Sequence, residues 1–556
     1  MNPSLSLVLL GLLPAPTLAL PALPTAARAQ ETPEALVQQG RALLVQNKAV
    51  DALPLFERAD QLSGGKLATR LWVLRCWMQM GRINDALDAI DKLAKTEKGP
   101  AIDYLYGMGF WFTAKDRLAQ NAGGAIIGMN FGDATTYLKK CTAADDKSWP
   151  DAWLALAESA WYSQDLESAR AAAEKACAVE PKDAPAHLLL GQIAFSQYVT
   201  VASDEAQKDK AAAHMQAARA AFEACDALLA GCSTPADRAQ RGQAQKQLGD
   251  LACWAKDKAA AEKAYGRALG YDPNAAKIDE LYRGIAASFD KEFAEVFLAT
   301  IELAEKTFVE SWGAENTGDA TILWWLGWAR LDQKQYDKAE EAFAGAVKKW
   351  PQYFNAWFFI GIARYSRQNF DGAIAAMSRH YKENRDDMVA TVQQNKDRYL
   401  AILDSLVGKA AESQEIVAAA QLSEVQALAE PRTSRYWNNA ALFWRDAGDG
   451  LRRNPGETEQ KLALQYFETA FQEYEKALEL EPENPNYLND TAVMLHYYLD
   501  RDLERAKSLY QKAAERAAAL LEKKGLSVAD KEAYQIALRD SKNNLAKLEK
   551  GIKTQG

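Results

Sequence analysis

The chain is poor in the residues that build metal centres and covalent frameworks. It has four histidines in 556 residues, His187, His214, His380 and His496. Their scatter argues against a multi-histidine metal site. Six cysteines (Cys76, Cys141, Cys177, Cys225, Cys232 and Cys253) show no Cys-x-x-Cys spacing, so no redox or zinc motif is present. Most fall inside apolar helical patterns, where a thiol acts as a small hydrophobe. Free buried thiols are the expected state, and a bridge from Cys253 to Cys225 or Cys232 is the alternative. There is no basic surplus, with 66 Lys and Arg against 75 Asp and Glu, which argues against a nucleic-acid partner. Glycine (32) and proline (18) are not raised, which excludes collagen-like and low-complexity classes. After the first thirty residues no stretch approaches the ~18 uncharged apolar residues of a membrane helix. Strict apolar–polar alternation is missing too, so no strand is expected.

The N-terminus reads as a processing segment. Leu5–Leu13 is an apolar run, and Ala27-Arg28-Ala29 before Gln30 has the small-x-small form of a signal-peptidase site. Residues 1–29 are the expected signal peptide, and cleavage after Ala29 implies a periplasmic or secreted protein. The segment departs from the usual pattern in Met1–Ser4, which carries no Lys or Arg. No cysteine follows the run, so no lipid anchor is expected.

The rest reads as helix. Apolar residues recur at i, i+3, i+4 and i+7, and alanine is abundant. Breaks fall at Pro181-Lys182-Asp183, Asp272-Pro273-Asn274, Trp350-Pro351-Gln352 and Glu481-Pro482-Glu483. A length of 556 residues exceeds the ~250–300 at which a single core stops growing, so a repeat array or several domains are required. A set of small, large, small residues recurs: Ala339/Phe343/Ala346, Ala52/Phe56/Ala59, Ala261/Tyr265/Ala268, Ala470/Tyr474/Ala477 and Ala506/Tyr510/Ala513. Gly40, Gly249, Gly327 and Gly361 lie twelve residues before a leading alanine, and Pro181, Pro273, Pro351 and Pro482 lie twelve after one. Where two helices cross closely only Gly or Ala fits, and a large residue one turn away fills the groove beside the crossing.

This pattern resembles the tetratricopeptide repeat, a 34-residue helical hairpin. The resemblance implies an all-α fold, an α-solenoid of stacked tetratricopeptide helical hairpins. Leading small residues fall at 52, 86, 134, 169, 218, 261, 339, 373, 470 and 506. Spacings of 34–36 are plain stacking. Longer ones place insertions near Leu118–Gly132, Ser196–Ala211 and Gly231–Arg241, and degenerate units at Ile278–Phe308 and at 386–456. The expected organisation is an array over 30–310, a second over 311–520 with a boundary near Ser311–Asp319, and a polar capping helix and tail over 521–556.

Chemistry-bearing motifs are few. Gly123-Gly124, Gly128 and Gly132 are followed by no Lys-Ser/Thr, so they read as a flexible insertion rather than a phosphate loop. No His-Glu-x-x-His, Gly-x-Ser-x-Gly or paired Cys/His arrangement occurs. No catalytic residue, metal site or cofactor is expected. In the family the first helix of each unit lines the concave surface, which implies an inner patch of Trp324, Trp328 and Leu331 with Phe358, Ile362 and Tyr365 one repeat later. Trp161 and Tyr162 hold the equivalent place earlier. The competing reading buries these rings between neighbours. Arg330 and Arg364, one repeat apart, read either as an anion clamp or as packed stems whose heads pair with carboxylates. The lysine and asparagine clamp of some family members is not visible. The implied function is a non-enzymatic scaffold that binds a protein or peptide partner through the concave groove. The alternative is a ligand- or polysaccharide-binding protein of the cell envelope that stacks aromatic faces on sugar rings.

Overall fold

The computed structural model describes residues 32–555 except 232, 233 and 275, with side chains as far as residue 551. The leader and Cys232 lie outside that set. Every regular element among the described residues is a helix, and the helices pair into stacked hairpins. The chain forms two compact units that divide between Ala218 and Arg219. The first stacks hairpins such as Leu67–Gln79 with Ile83–Leu93 and Asp151–Tyr162 with Leu166–Val179. The second includes Ala320–Asp332 with Tyr336–Lys349 and ends in Val528–Gln555. The boundary expected near Ser311–Asp319 is instead continuous core. Phe297, Ile301 and Phe308 share one cluster with Ile322 and Leu326, because helix Phe293–Trp312 packs on the hairpin that follows.

The repeat register holds at side-chain level. All ten leading small residues, from Ala52 to Ala506, are 0% exposed. The glycines twelve residues earlier lie against the large residue of the same set. A Cβ added to Gly327 would fall 2.8 Å from the Phe343 ring, one on Gly40 would fall 2.5 Å from Phe56, and one on Gly361 would fall 2.7 Å from Met377. Gly249 meets Tyr265 in the same way. The ring occupies the space a side chain would need, and that close approach sets the hairpin crossing.

The insertion at Leu118–Gly132 is helical, against the expected flexible loop. Helices Pro100–Ala119 and Gly124–Ala144 have 20 and 21 residues, where Ala320–Asp332 and Tyr336–Lys349 have 13 and 14. Each arm is two turns longer, at about 3.6 residues per turn. A lengthening by whole turns returns every side chain to its own face, so the glycines sit in a helix whose first half carries exposed Ile126 and Met129. The degenerate unit at Ile278–Phe308 forms helices Ile278–Phe289 and Phe293–Trp312. The second of them crosses Lys258–Tyr271 at two glycines, since added Cβ atoms on Gly266 and Gly270 would meet the carbonyls of Thr300 and Ala304 at 2.9 Å. In the 386–456 region, helix Phe370–Gln394 kinks at Asn384, where φ is −160° and ψ is 92°. His380 Nε2 lies 2.8 Å from Asp387 Oδ2 across that kink.

The turn inside several of the hairpins has one feature in common. Asn47, Gln164, Lys256, Lys334, Gln368 and Gln414 all have φ between 55° and 63°, each in a short link between two helices. Gly81, in the link between Leu67–Gln79 and Ile83–Leu93, meets this left-handed requirement without a side chain. Second helices are then capped by side chains: Asp165 accepts from Ser168 N (3.2 Å), Asp257 from Ala260 N (3.1 Å) and Asn369 from Gly372 N (3.0 Å). At the far end Leu545 and Leu548 of Val528–Gln555 pack on Leu495 and Tyr510, and this helix covers the last hairpin. Cys76, Cys141 and Cys253 are buried free thiols, which sets aside the bridge from Cys253.

Two measurements check this reading. Ala339→Leu overpacks its crossing and is expected to cost ~1–3 kcal/mol, read as a lower denaturant midpoint. Asp165→Ala removes a helix cap worth about 1 kcal/mol at neutral pH. Hydrogen bonds from Ser168 and then Lys139 hold the Asp165 carboxyl down at about 2. The cap therefore stabilises above the unfolded carboxyl's ordinary value and is lost as pH falls toward 2, so mutant and parent stabilities are expected to converge between about pH 4 and 2.

Candidate functional site

The cavity that joins the predicted inner-face residues lies in the second unit, where three successive first helices meet: Ala320–Asp332, Asn355–Ser366 and Lys396–Glu412. It has a volume of about 260 Å³. Trp328, Leu331 and Ile362 line it, as the sequence places them, together with Phe359, Tyr336 and Tyr399. Asp332, Lys334 and Arg398 stand at its edge. All three are exposed. Burial raises the Tyr399 phenol above its ordinary value, against an opposing pull from Arg398.

Other members of the predicted patch are placed elsewhere. Phe358 is fully buried, with its ring 5.0 Å from Tyr399 and 6.3 Å from His380, so it is a core residue and not a groove residue. Ile362 is nearly as buried and forms the floor of the cavity. Trp324 packs between Phe343, Tyr353 and Phe359 at 5.4–6.1 Å. Tyr365 makes an edge contact with Phe370 at 5.7 Å. In the first unit Trp161 donates to Ser196 Oγ (3.2 Å), and Tyr162 stacks on Phe131 at 4.4 Å. Burial raises the Tyr162 phenol, and Glu158 adds to it. The Tyr162–Phe131 stack joins helix Asp151–Tyr162 to the lengthened hairpin.

Arg330 and Arg364 carry out one structural task twice. Arg330 Nη1 donates to Lys338 O (3.4 Å), and Arg364 Nη1 donates to Gly372 O (3.0 Å). Each tie runs from the end of a first helix to the second helix of the same hairpin. Arg330 also pairs with Glu302 (3.4 Å) and Arg364 with Glu340 (2.7 Å). This is the packed-stem arrangement rather than an open clamp.

Seven lining residues were not singled out from the sequence, Phe359, Arg398 and Tyr399 among them. Phe359 lies three residues before Ile362 and so shares its face; the cavity takes Phe359, Ile362 and Ser366 at i, i+3 and i+7 where Phe358, Ile362 and Tyr365 were expected at i, i+4 and i+7. Tyr399 and Arg398 follow the kink at Asn384, where the 34-residue count is lost.

Ionisable groups also cluster away from this cavity. Glu424 accepts from Tyr381 Oη (2.7 Å), Arg385 Nη1 (2.9 Å) and Trp444 Nε1 (3.1 Å). Glu473 is 5% exposed, and one of its oxygens has no partner. Burial, then the charge of Glu424, pushes its carboxyl well above the ordinary range. The cluster has the character of a closed core contact. Among the described residues no three side chains are grouped to hold a metal ion, and no helix is long and apolar enough to cross a membrane.

Tetratricopeptide-repeat family models match residues 43–108, 150–193 and 325–387, so the chain carries tetratricopeptide repeats. No curated protein matches its sequence. Similar solved structures include yeast Tom70, at 14% identity over 94% of this chain and 99% of that one with a TM-score of 0.21. The APC/C hetero-tetramer Cut9-Hcn1 matches at 12% identity over 92% and 97%, with a TM-score of 0.27. YrrB, described as a TPR protein with an unusual peptide-binding site, matches at 16% over 45% and 94%, with a TM-score of 0.23.

The Glu473 carboxyl gives a test with a defined sign. The unfolded chain releases this proton in the ordinary carboxyl range, whereas the folded chain retains it to higher pH. Stability is therefore lost as pH rises from about 4.5 toward the raised value. Glu473→Gln keeps the neutral shape and is expected to flatten that decline, read from unfolding midpoints between about pH 5 and 8.

Proposed function

We propose that this chain is a protein–protein interaction scaffold that takes an extended peptide segment of its partner at the Trp328–Tyr399 cavity, with one apolar side chain as anchor. The supporting observation is convergence. Rings from three successive first helices, Trp328, Phe359 and Tyr399, line one cavity, although they are far apart in sequence. Aromatic anchors of this kind dominate binding energy where they are desolvated. At about 260 Å³ the cavity falls below the ~300–1,000 Å³ of sites that enclose whole small molecules. That volume suits one side chain better than a sugar ring or a cofactor. Asp332, Lys334 and Arg398 form no ion pair among the described residues and stand ready for charges that flank the anchor. The segment ending at Ala29 supports export, so the partner belongs to the cell envelope or the exterior.

The test is capture from a periplasmic extract on the immobilised chain, followed by titration of the isolated partner. Trp328→Ala is expected to weaken binding by roughly 2 kcal/mol or more. Trp328 also packs on Tyr282 and Phe297 at 5.9 and 6.1 Å, so thermal unfolding of the same variant accompanies the titration. The exposed rim variant Arg398→Glu supplies a second reading with the core untouched. Full binding by a folded Trp328→Ala chain removes this cavity as the site.

A further inference from the structure

The aromatic wall of the Trp328–Tyr399 cavity has further rings behind it. Phe359 and Tyr399 line the cavity. Phe358, which does not, meets Tyr399 edge-on at 5.0 Å and Phe359 edge-on at 5.7 Å. His380 in turn meets Phe358 edge-on at 6.3 Å. Edge contacts of this kind favour a set angle between rings as well as a set distance. The place of Tyr399 therefore depends on Phe358, and the place of Phe358 on His380.

His380 is fully buried, and one polar bond orients it. Its Nε2 lies 2.8 Å from Asp387 Oδ2. An ionised carboxylate only accepts, so Nε2 carries the proton. Nδ1 meets no partner among the described residues. Without Asp387 the imidazole would hold a buried donor with nothing to receive it, which is costly enough to turn the ring toward another acceptor. The tie can be removed without undoing the kink that it crosses. Asn384 Oδ1 accepts from the backbone N of Asp387 (3.1 Å). Glu424 joins Tyr381 before the kink to Arg385 after it, at 2.7 and 2.9 Å. Neither arrangement uses the Asp387 side chain, which is half-exposed.

We infer that His380, held by Asp387, is a positioning residue for the cavity: it props Phe358 against Tyr399 and so sets the wall on which a partner's apolar anchor packs. This rests on the reading of that cavity as a peptide site.

The test compares Asp387, Asp387→Ala and Asp387→Asn in the full chain, since asparagine keeps an acceptor for Nε2 and alanine does not. The first measurement needs no ligand. Ile362→Cys puts a thiol in the cavity floor, and its alkylation by iodoacetamide is read by mass at that position. In Asp387→Ala, Phe358 is expected to fall back and Tyr399 to follow it away from the floor, so that position 362 reacts about threefold or more faster. Asp387→Asn is expected to react as the parent does. Cys253, a buried thiol of the same unit, reports general opening and is expected to react alike in all three chains.

The second measurement titrates blocked Gly-Gly-Xaa-Gly-Gly peptides with leucine, phenylalanine or alanine at the centre. The parent and Asp387→Asn are expected to prefer a large apolar centre over alanine, and Asp387→Ala to lose about threefold or more of that preference. Equal alkylation of position 362 in all three chains, or Asp387→Asn behaving as Asp387→Ala does, would overturn the inference. Faster alkylation of Cys253 in Asp387→Ala would overturn it too, by showing a general loosening. The expected alkylation order without any anchor preference in the parent would overturn the peptide reading instead, and leave the placement of the wall by His380 supported.

Discussion

A glycine backbone against a large side chain is the contact on which the rest of the structure depends. Gly327 against Phe343, Gly40 against Phe56 and Gly361 against Met377 each let the large side chain of one helix lie on the bare backbone of the other. A leading alanine such as Ala339 is enclosed at the same crossing. The hairpin so fixed has two apolar faces that it cannot bury alone, and stacking buries them against the next hairpin. Stability then comes from each hairpin and its neighbours rather than from a single centre. This is why the chain can be far longer than one core would permit.

That local rule explains what was legible in the sequence. Small residues at a crossing are a packing necessity, so all ten leading positions could be placed and all ten are enclosed. The binding face was only partly legible. Trp328, Leu331 and Ile362 reach the cavity, whereas Phe358 turns into the core and Phe359 replaces it. The face was read at i, i+4 and i+7, whereas the cavity takes Phe359, Ile362 and Ser366 at i, i+3 and i+7 of the same face. Tyr399 was hidden for a different reason. The kink at Asn384, held beside the His380–Asp387 contact, interrupts the 34-residue count, so the spacing did not carry the reading as far as Tyr399.

The paired arginines show how the same residues serve two readings. A 34-residue separation correctly implies that Arg330 and Arg364 do equivalent work. What the spacing does not supply is the acceptor. In both hairpins it is a carbonyl eight residues further on, with a glutamate that accepts from Nη2 of Arg330 and from Nε and Nη2 of Arg364. A guanidinium with five donors in a fixed fork is suited to such a double tie. Lysine in its place would lose one bond geometry while keeping the charge.

The lengthened hairpin Pro100–Ala144 has a consequence for how such a chain can change. Its arms are extended by seven residues each over the 13- and 14-residue helices of a regular unit, close to two turns at 3.6 residues per turn. Growth of one arm alone would leave a helix end without a partner, and growth by a fraction of a turn would rotate the base of the hairpin out of register with both neighbours. Inherited insertions here are thus confined to a coarse ladder of lengths, added to both arms in step. The hairpin tip becomes a part of the repeat where new sequence can accumulate while the stack beneath it stays as it was.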